Sequence, residues 1–429
     1  MNAEVVIIGA GVTGLSAGME LQDRAVILEK GRSVGGTVRS FCVDNGYWFD
    51  NVVHLLHFRN KNTEKRIKTL MGNILKPCPP VGWVETKEGT VRYPFQLNLG
   101  GLNKEVQLKC LNDFLQRDKT SVHSSYKEFL LKTFGKAMCE IFFFPYNEKQ
   151  WKYPLDEMTR LGQVWNINQP TIEEIHESLL YPNQTKSSYN ENGYYPRPPK
   201  DAPLRGMGLL VNAMGEKVKN LMLNCEVTRI DTGDKKIYTA NDCFSYENCL
   251  STIPLPQLMR ICDVPDTLKK EANRLKWNKV ISIGLSIKGE RPENTGHWHY
   301  YADPKIPFTK IIYMTEFDQH NAPDDGFGIL LEVPVPHGSS MFEDDLHHKI
   351  ITSLFDLKIL NEKNEVKGVY FWEIDPAYVI FTKETPQIVQ NCKDYLKKFN
   401  ITTFGRYGNW EYSSMAENIE DGFNYAKRI

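Results

Sequence analysis

Gly9-Ala10-Gly11-Val12-Thr13-Gly14 follows the apolar run "EVVII" and opens the helix-forming stretch "LSAGMELQ". Glycines at those steps suit the binding of a dinucleotide. Gly9 permits the tight turn, Gly11 lets backbone approach a pyrophosphate, and Gly14 lets the next helix pack on the strand. The diphosphate then rests on a helix N-terminus, where unpaired N–H groups and the helix dipole favour negative charge. A second strand, "AVILE", ends in Glu29, twenty residues beyond Gly9, where a carboxylate accepts hydrogen bonds from the adenosine ribose. Downstream, "WFDNVVHLLHF" threads His54 and His57 through an otherwise apolar run.

The elements around these residues are those of an α/β fold. "EVVII" is uniformly apolar, as suits a strand buried on both faces of a parallel sheet. "NCEVTRIDTGDKKIYTANDCFSYENCLSTIP" alternates as short antiparallel strands around turns at Asp234 and Asn241. Near the end, "FGRYGNWEYSSMAENIEDGFNYA" places Ser413-Ser414 before a helical run with acids in its first turns, a helix-start signal. Residues 61 to 75 and 103 to 140 read as amphipathic helices. "KVISIGLSIKG" and "GILLEVPVP" alternate as strands of a second sheet. Tyr181 to Lys200 has turn and loop composition and predicts a mobile flap or linker.

Composition excludes several classes of function. With 41% hydrophobic and 24% charged residues and a formal net charge of -1, neither disorder nor a nucleic-acid partner is favoured. No signal sequence opens the chain and no run of eighteen apolar residues occurs, so a soluble cytoplasmic protein without membrane insertion is expected. Nine scattered cysteines without a C-x-x-C pair suggest reduced thiols rather than disulfides or zinc, and no H-E-x-x-H occurs, so no metal is expected. The sequence leaves an oligomer possible.

Gly35-Gly36 follows the acidic strand end by a few residues, a second glycine pair that a nicotinamide dehydrogenase would not need. This E-K-x-x-x-x-G-G pattern resembles the amine oxidase and protoporphyrinogen oxidase superfamily of FAD proteins, which makes FAD the expected cofactor. "VRYPFQLNL", "FFFPYNEKQWKYPLDEM" and "GRYGNWEY" then match in order the pattern of the UDP-galactopyranose mutases, especially the longer, eukaryotic-type ones. The resemblance spans nearly the whole chain. It implies a Rossmann-like FAD-binding domain with interleaved helical and antiparallel-sheet substrate domains. The FAD-binding domain is expected to be discontinuous (1–60, 205–255 and 400–429), with a helical domain at 61–180, a mobile loop at 181–204 and an antiparallel-sheet substrate domain at 256–399.

The resemblance also implies a reaction, pyranose–furanose exchange of a nucleotide sugar in which N5 of reduced FAD attacks the anomeric carbon with no net redox change. NAD(P)H is the expected reductant. The implied setting is the synthesis of polysaccharide or glycan precursors. Val227 falls by the adenine, Arg406 beside the flavin, and Ser413 and Met415 at a helix end aimed at the flavin. Lys310, Tyr378 and Tyr412 fall on diphosphate-binding positions, Trp298 and Tyr300 near the sugar phosphate, and Gln96 in the substrate pocket. Taken singly, each aromatic reads as core packing and Lys310 as a surface lysine.

Two positions depart from that pattern. Asn166 stands where the family has its other diphosphate-binding arginine, and an amide has neither the permanent charge nor the bidentate fork. Arg160, Arg197 or Arg205 is a candidate substitute. The family's F-D-x-G-G-H becomes Phe49-Asp50-Asn51-Val52-Val53-His54, which keeps the histidine expected at the flavin face and stiffens its support, because positive φ is costly for valine. His57 has no counterpart in the pattern. An FAD-dependent amine or alcohol oxidoreductase and a noncatalytic nucleotide-sugar-binding relative are the competing readings.

Overall fold

The computed structural model describes residues 2–53, 55–160, 167–182, 184, 193–339 and 345–429. The first apolar run forms β1 (Asn2–Ile8), with β2 (Ala25–Leu28) parallel on one side and β12 (Cys243–Ser251) parallel on the other. Val5, Val6 and Ile7 are fully buried, as a central parallel strand covered on both faces requires. Beyond β2 lies β9 (Leu221–Met222); beyond β12 come the antiparallel β11 (Lys236–Tyr238) and β10 (Arg229–Asp231), while β18 (Ile401–Thr403) pairs parallel with β12. This first sheet is thus assembled from segments far apart in the chain.

The second sheet runs in the order β17 (Glu365–Ile380), β13 (Lys276–Lys288), β16 (Gly326–Pro336), β15 (Lys310–Tyr313), β14 (Trp298–Tyr301), β6 (Gly82–Thr86) and β7 (Gly89–Arg92). On β13 the two-residue period separates two jobs. Ile281, Ile283, Leu285 and Ile287 pack into a core with Ile350 and Leu354 of the helix Leu346–Asp356. Val280 and Ser282 alternate with them on the opposite face. The stretch 61–180, expected as a helical domain, contributes β6 and β7 to this sheet. Its helices, including Lys104–Gln116, Tyr126–Phe134 and Phe144–Trp151, bury a phenylalanine-rich core in which Phe134 stacks on Phe143 at 3.9 Å. A π-helical turn at Cys139–Phe143 precedes the last of these helices.

Two small ribbons tie the sheets together. One pairs β3 (Ser40–Val43) with β4 (Tyr47–Asp50), and the other pairs β5 (Leu75–Pro77) with β8 (Tyr194–Pro196). The second revises the expected mobile loop at 181–204, since Tyr195 on β8 is fully buried and its hydroxyl donates to Asp50 at 2.8 Å. Burial covers Gly193, Tyr195 and Pro196, while Pro199 to Asp201 are exposed; 183 and 185–192 lie outside the described residues.

Candidate active site

A cavity of ≈ 1370 Å³ lies between the sheets and runs from the glycine turn to the antiparallel strands. At the first end Gly9 holds φ +100, and a Cβ on Gly14 would lie 2.0 Å from the Gly9 carbonyl oxygen, so both positions exclude a side chain. Gly11, Gly35 and Gly36 line the cavity with Val227. Glu29, 7% exposed, accepts the backbone N–H groups of Ala10 at 2.8 Å and Gly31 at 2.7 Å. A carboxylate has about four acceptor sites, so capacity is left for ribose hydroxyls. The Nη2 atom of Arg39 stands 3.9 Å from Glu29, and its Nε is buried without a hydrogen-bond partner.

Midway, the C-terminal helix Met415–Ala426 presents its N-terminus. Ser414 caps it in a reciprocal box with Glu417, and Ser413 donates to the Asn418 side chain at 3.2 Å. That oxygen also accepts the Arg406 backbone N–H at 2.6 Å. The Arg406 guanidinium lies 4.0 Å over the Tyr412 ring and 5.6 Å from that of Tyr378, and its Nε and Nη2 are buried without hydrogen-bond partners. A buried permanent cation with unused donors is costly unless an acceptor meets it. Open space at Gly11, an acceptor carboxylate, a helix N-terminus and unused guanidinium donors, all on one cavity, fit FAD.

At the far end three adjacent strands bring Tyr300, Lys310 and Glu332 into one row. The Lys310 ammonium is 3.8 Å from Glu332 and stands over the Trp298 and Tyr300 rings at 4.9 and 5.5 Å. Tyr378 stacks on Tyr412 at 6.0 Å, and Tyr93 and Tyr146 meet Tyr300 at 5.1 and 5.6 Å. Burial pushes the Tyr93 phenol up to about 12 and those of Tyr146 and Tyr378 well above the usual range. Burial also raises Tyr412, against the pull of Arg406. These hydroxyls therefore stay neutral donors. Gln96 is buried here, with its amide donating to the Asn168 carbonyl at 2.7 Å.

The loop after β4 is held from several sides. Asp50, 1% exposed, accepts the Ser40 hydroxyl at 2.6 Å, the Tyr195 hydroxyl, and the Met207 N–H at 2.9 Å. Burial pushes its carboxyl up to about 6, with those hydrogen bonds opposing the rise. Asn51 donates its N–H to the Arg39 carbonyl at 2.8 Å and accepts the Ser282 hydroxyl at 2.7 Å. Val52 packs with Val280, Ile374 and Ala377, and neither Val52 nor Val53 adopts positive φ. His57 lines the cavity, and burial pushes its imidazole down to about 4, so it is neutral.

The cavity therefore gathers Gly9, Gly11, Glu29, Gly35, Gly36, Val227, Arg406, Ser413, Met415, Gln96, Trp298, Tyr300, Lys310, Tyr378 and Tyr412. Gly14 lies behind it, under the turn. His54 and Asn166 lie outside the described residues. The candidate substitutes for the missing arginine are engaged elsewhere. Arg205 forms a buried ion pair with Asp318 at 2.5 Å, Arg197 donates to the Phe317 carbonyl at 2.5 Å, and Arg160 covers the Phe129 ring. Sequence reasoning missed Glu332, whose one signal is an acid inside the alternating apolar "GILLEVPVP". It also passed over Tyr93 and Tyr146, although both stand in segments that carried the family resemblance.

A mostly parallel sheet opening on a glycine turn and a mixed, mostly antiparallel sheet share one cavity, with the Arg406 guanidinium between them, an arrangement that suits a flavoprotein. The chain matches the model of the flavin containing amine oxidoreductases over residues 12–346 and belongs to that family. Among solved structures, its fold is that of a reduced UDP-galactopyranose mutase, with a TM-score of 0.91 and 22% identity over 100% of this chain and 94% of that one. It is also similar to a fatty acid isomerase of P. acnes (TM-score 0.67, 14% identity, 100% and 98% covered). An engineered putrescine oxidase gives a TM-score of 0.68 at 14% identity, with 100% and 98% covered. Among the described residues no group of three His, Cys, Asp or Glu side chains could hold a metal, and no helix is long and apolar enough to cross a membrane.

Proposed function

We propose that the protein is a flavin-dependent mutase that interconverts the pyranose and furanose forms of a nucleotide-diphosphate sugar without net redox change. The observation that carries this reading is the continuity of one cavity from Glu29, past Arg406, to the row of Tyr300, Lys310 and Glu332. Reduced FAD, when bound, supplies the nucleophilic N5 for the anomeric carbon. The mutase with this fold gives the reading its substrate class.

In this reading Glu29 takes the ribose hydroxyls, Gly11 and the helix behind it take the pyrophosphate, and Val227 packs on the adenine. Arg406, with the helix end at Ser413 and Met415, holds negative charge at the flavin. His54 is assigned to the flavin face on the sequence pattern. Lys310 and the neutral hydroxyls of Tyr378 and Tyr412 grip the diphosphate, which leaves and returns as an anion. Trp298, Tyr300 and Gln96 orient the sugar, and the surrounding rings exclude water that would hydrolyse it. NAD(P)H is the proposed reductant, and the proposed setting is polysaccharide or glycan precursor synthesis in the cytoplasm.

A second reading, oxidation of an amine or alcohol, draws on the family and on the putrescine oxidase fold. Anaerobic incubation of the holo-protein with UDP-, dTDP- and GDP-hexopyranoses, with and without dithionite, separates the two. The mutase gives a new peak of unchanged mass only when reduced. Peroxide release with an amine or alcohol, and no isomer across the panel, would replace it with the oxidase. Nucleotide-sugar binding without turnover would mark a noncatalytic relative.

A further inference from the structure

The π-helical turn Cys139–Phe143 and the helix Phe144–Trp151 turn one face to the cavity, in pairs a helical turn apart: Phe142 and Phe143, Tyr146 and Asn147, Gln150 and Trp151. Asn147 is engaged within the protein. Its Oδ1 accepts the Tyr126 hydroxyl at 3.1 Å and the Trp151 indole N–H at 3.0 Å, and its Nδ2 donates to the Phe143 carbonyl at 2.7 Å. Gln150, 7% exposed, is only half engaged. Its Oε1 accepts the Tyr146 hydroxyl at 3.4 Å, while its Nε2 has no acceptor among the described residues. A buried amide donor left without an acceptor destabilises a fold, so a ligand atom is expected to meet it.

The second sheet fixes where that amide stands. Asn278 of β13, 1% exposed, donates to the Gln150 and Trp151 carbonyls at 2.7 and 3.2 Å and accepts the Tyr378 N–H at 3.1 Å. Trp151 meets the Tyr378 and Tyr412 rings edge-on at 5.9 and 6.4 Å, and Tyr146 meets Tyr300. Gln150 thus lies between the side chain that reaches Tyr300 and the one that reaches Tyr378 and Tyr412. The charged groups beside these rings are Lys310, paired with Glu332, and Arg406, 4.0 Å over the Tyr412 ring. Ammonium, guanidinium, phenol and amide hydrogens therefore surround one space. A nucleobase edge and a sugar hydroxyl both donate and accept, whereas the oxygens of an ionised diphosphate only accept. We infer that Gln150 is a substrate-binding residue whose amide N–H donates to the diphosphate of the nucleotide sugar. It serves from the helical side, where Asn166 leaves the family's second arginine missing. This rests on the nucleotide-sugar reading.

The test uses the oxidised holo-protein, which leaves the probes unconverted. UDP-galactose, dTDP-glucose and GDP-mannose are titrated by calorimetry, and the tightest is compared with its free nucleoside diphosphate and, by ligand-observed NMR, with its nucleoside. Gln150→Leu should retain the flavin spectrum, bind the nucleotide sugar and the diphosphate about tenfold more weakly, and bind the nucleoside as wild type does. Gln150→Glu keeps the shape of the side chain but sets a carboxylate against the phosphates. It should lose more affinity than the leucine variant for both diphosphates and none for the nucleoside. Wild-type affinity for the diphosphate in both variants, or loss of the nucleoside in step with it, would overturn the inference and leave the nucleotide-sugar reading standing. Failure of all three nucleotide sugars to bind wild type would overturn both.

Discussion

Lys310 is a surface-type residue half-buried by its neighbours. Its ammonium stands over the Trp298 and Tyr300 rings while Glu332 pairs with its charge. Replacing it with alanine should weaken nucleotide-sugar binding about tenfold or more, since a charge-assisted contact in a dry site is lost, with FAD content unchanged. Equilibrium dialysis alongside the flavin absorbance checks both halves. Arg406→Ala should lower the flavin midpoint potential, because removing a buried cation destabilises the anionic reduced form; spectroelectrochemistry reads the shift, and an unchanged potential would remove Arg406 from the flavin's surroundings. The glycines and Glu29 were legible in the sequence because their spacing is local. Glu332 was not, because its partner stands on another strand and strand pairing leaves no mark in either segment.

The loop from Asn51 to Val53 takes its shape from the ribbon before it and the strand beneath it. Asp50 anchors that ribbon, and burial raises its carboxyl to about 6 from an unfolded value of about 4. Between those values the folded chain binds the proton more tightly than the unfolded one. The stability this group contributes is complete below about pH 4 and is lost as pH rises through about 6. Asp50→Asn should flatten the melting temperature across that window relative to wild type, as followed by calorimetry; an identical slope would place the titration elsewhere. Val52 and Val53 do not adopt positive φ. The ribbon between β5 and β8 escaped notice, because "YNENGYYPRPP" has loop composition and its buried tyrosine is evident only against Asp50.

Over the whole molecule, the family frame was legible from short segments in order, while the partition of the chain was not. The pair β6–β7 interrupts a helical stretch and joins the second sheet through β14, a choice made by distant partners rather than local propensity. FAD would contact both ends of the chain, through Gly9 and Glu29 at one and Arg406 and Met415 at the other. Its binding should therefore stabilise the whole fold rather than one lobe. Flavin at a hundredfold excess over its dissociation constant adds about 2.7 kcal/mol, so apo-protein should melt several degrees lower than holo-protein in one transition. A second transition that ignores flavin would show a lobe that folds by itself.

The late arrival of β18 and the C-terminal helix bears on how the chain is made. A ribosome emits β1, β2 and β12 long before Ile401–Thr403 can pair with Cys249–Ser251, or Met415–Ala426 can close the cavity. Until then the nascent chain carries a half-built sheet with an open flank, a surface for chaperones to shield. If the flavin docks against Met415 as proposed, chains kept short of it should be cut by proteases first at the C-terminal helix, which limited proteolysis of apo- and holo-protein would show.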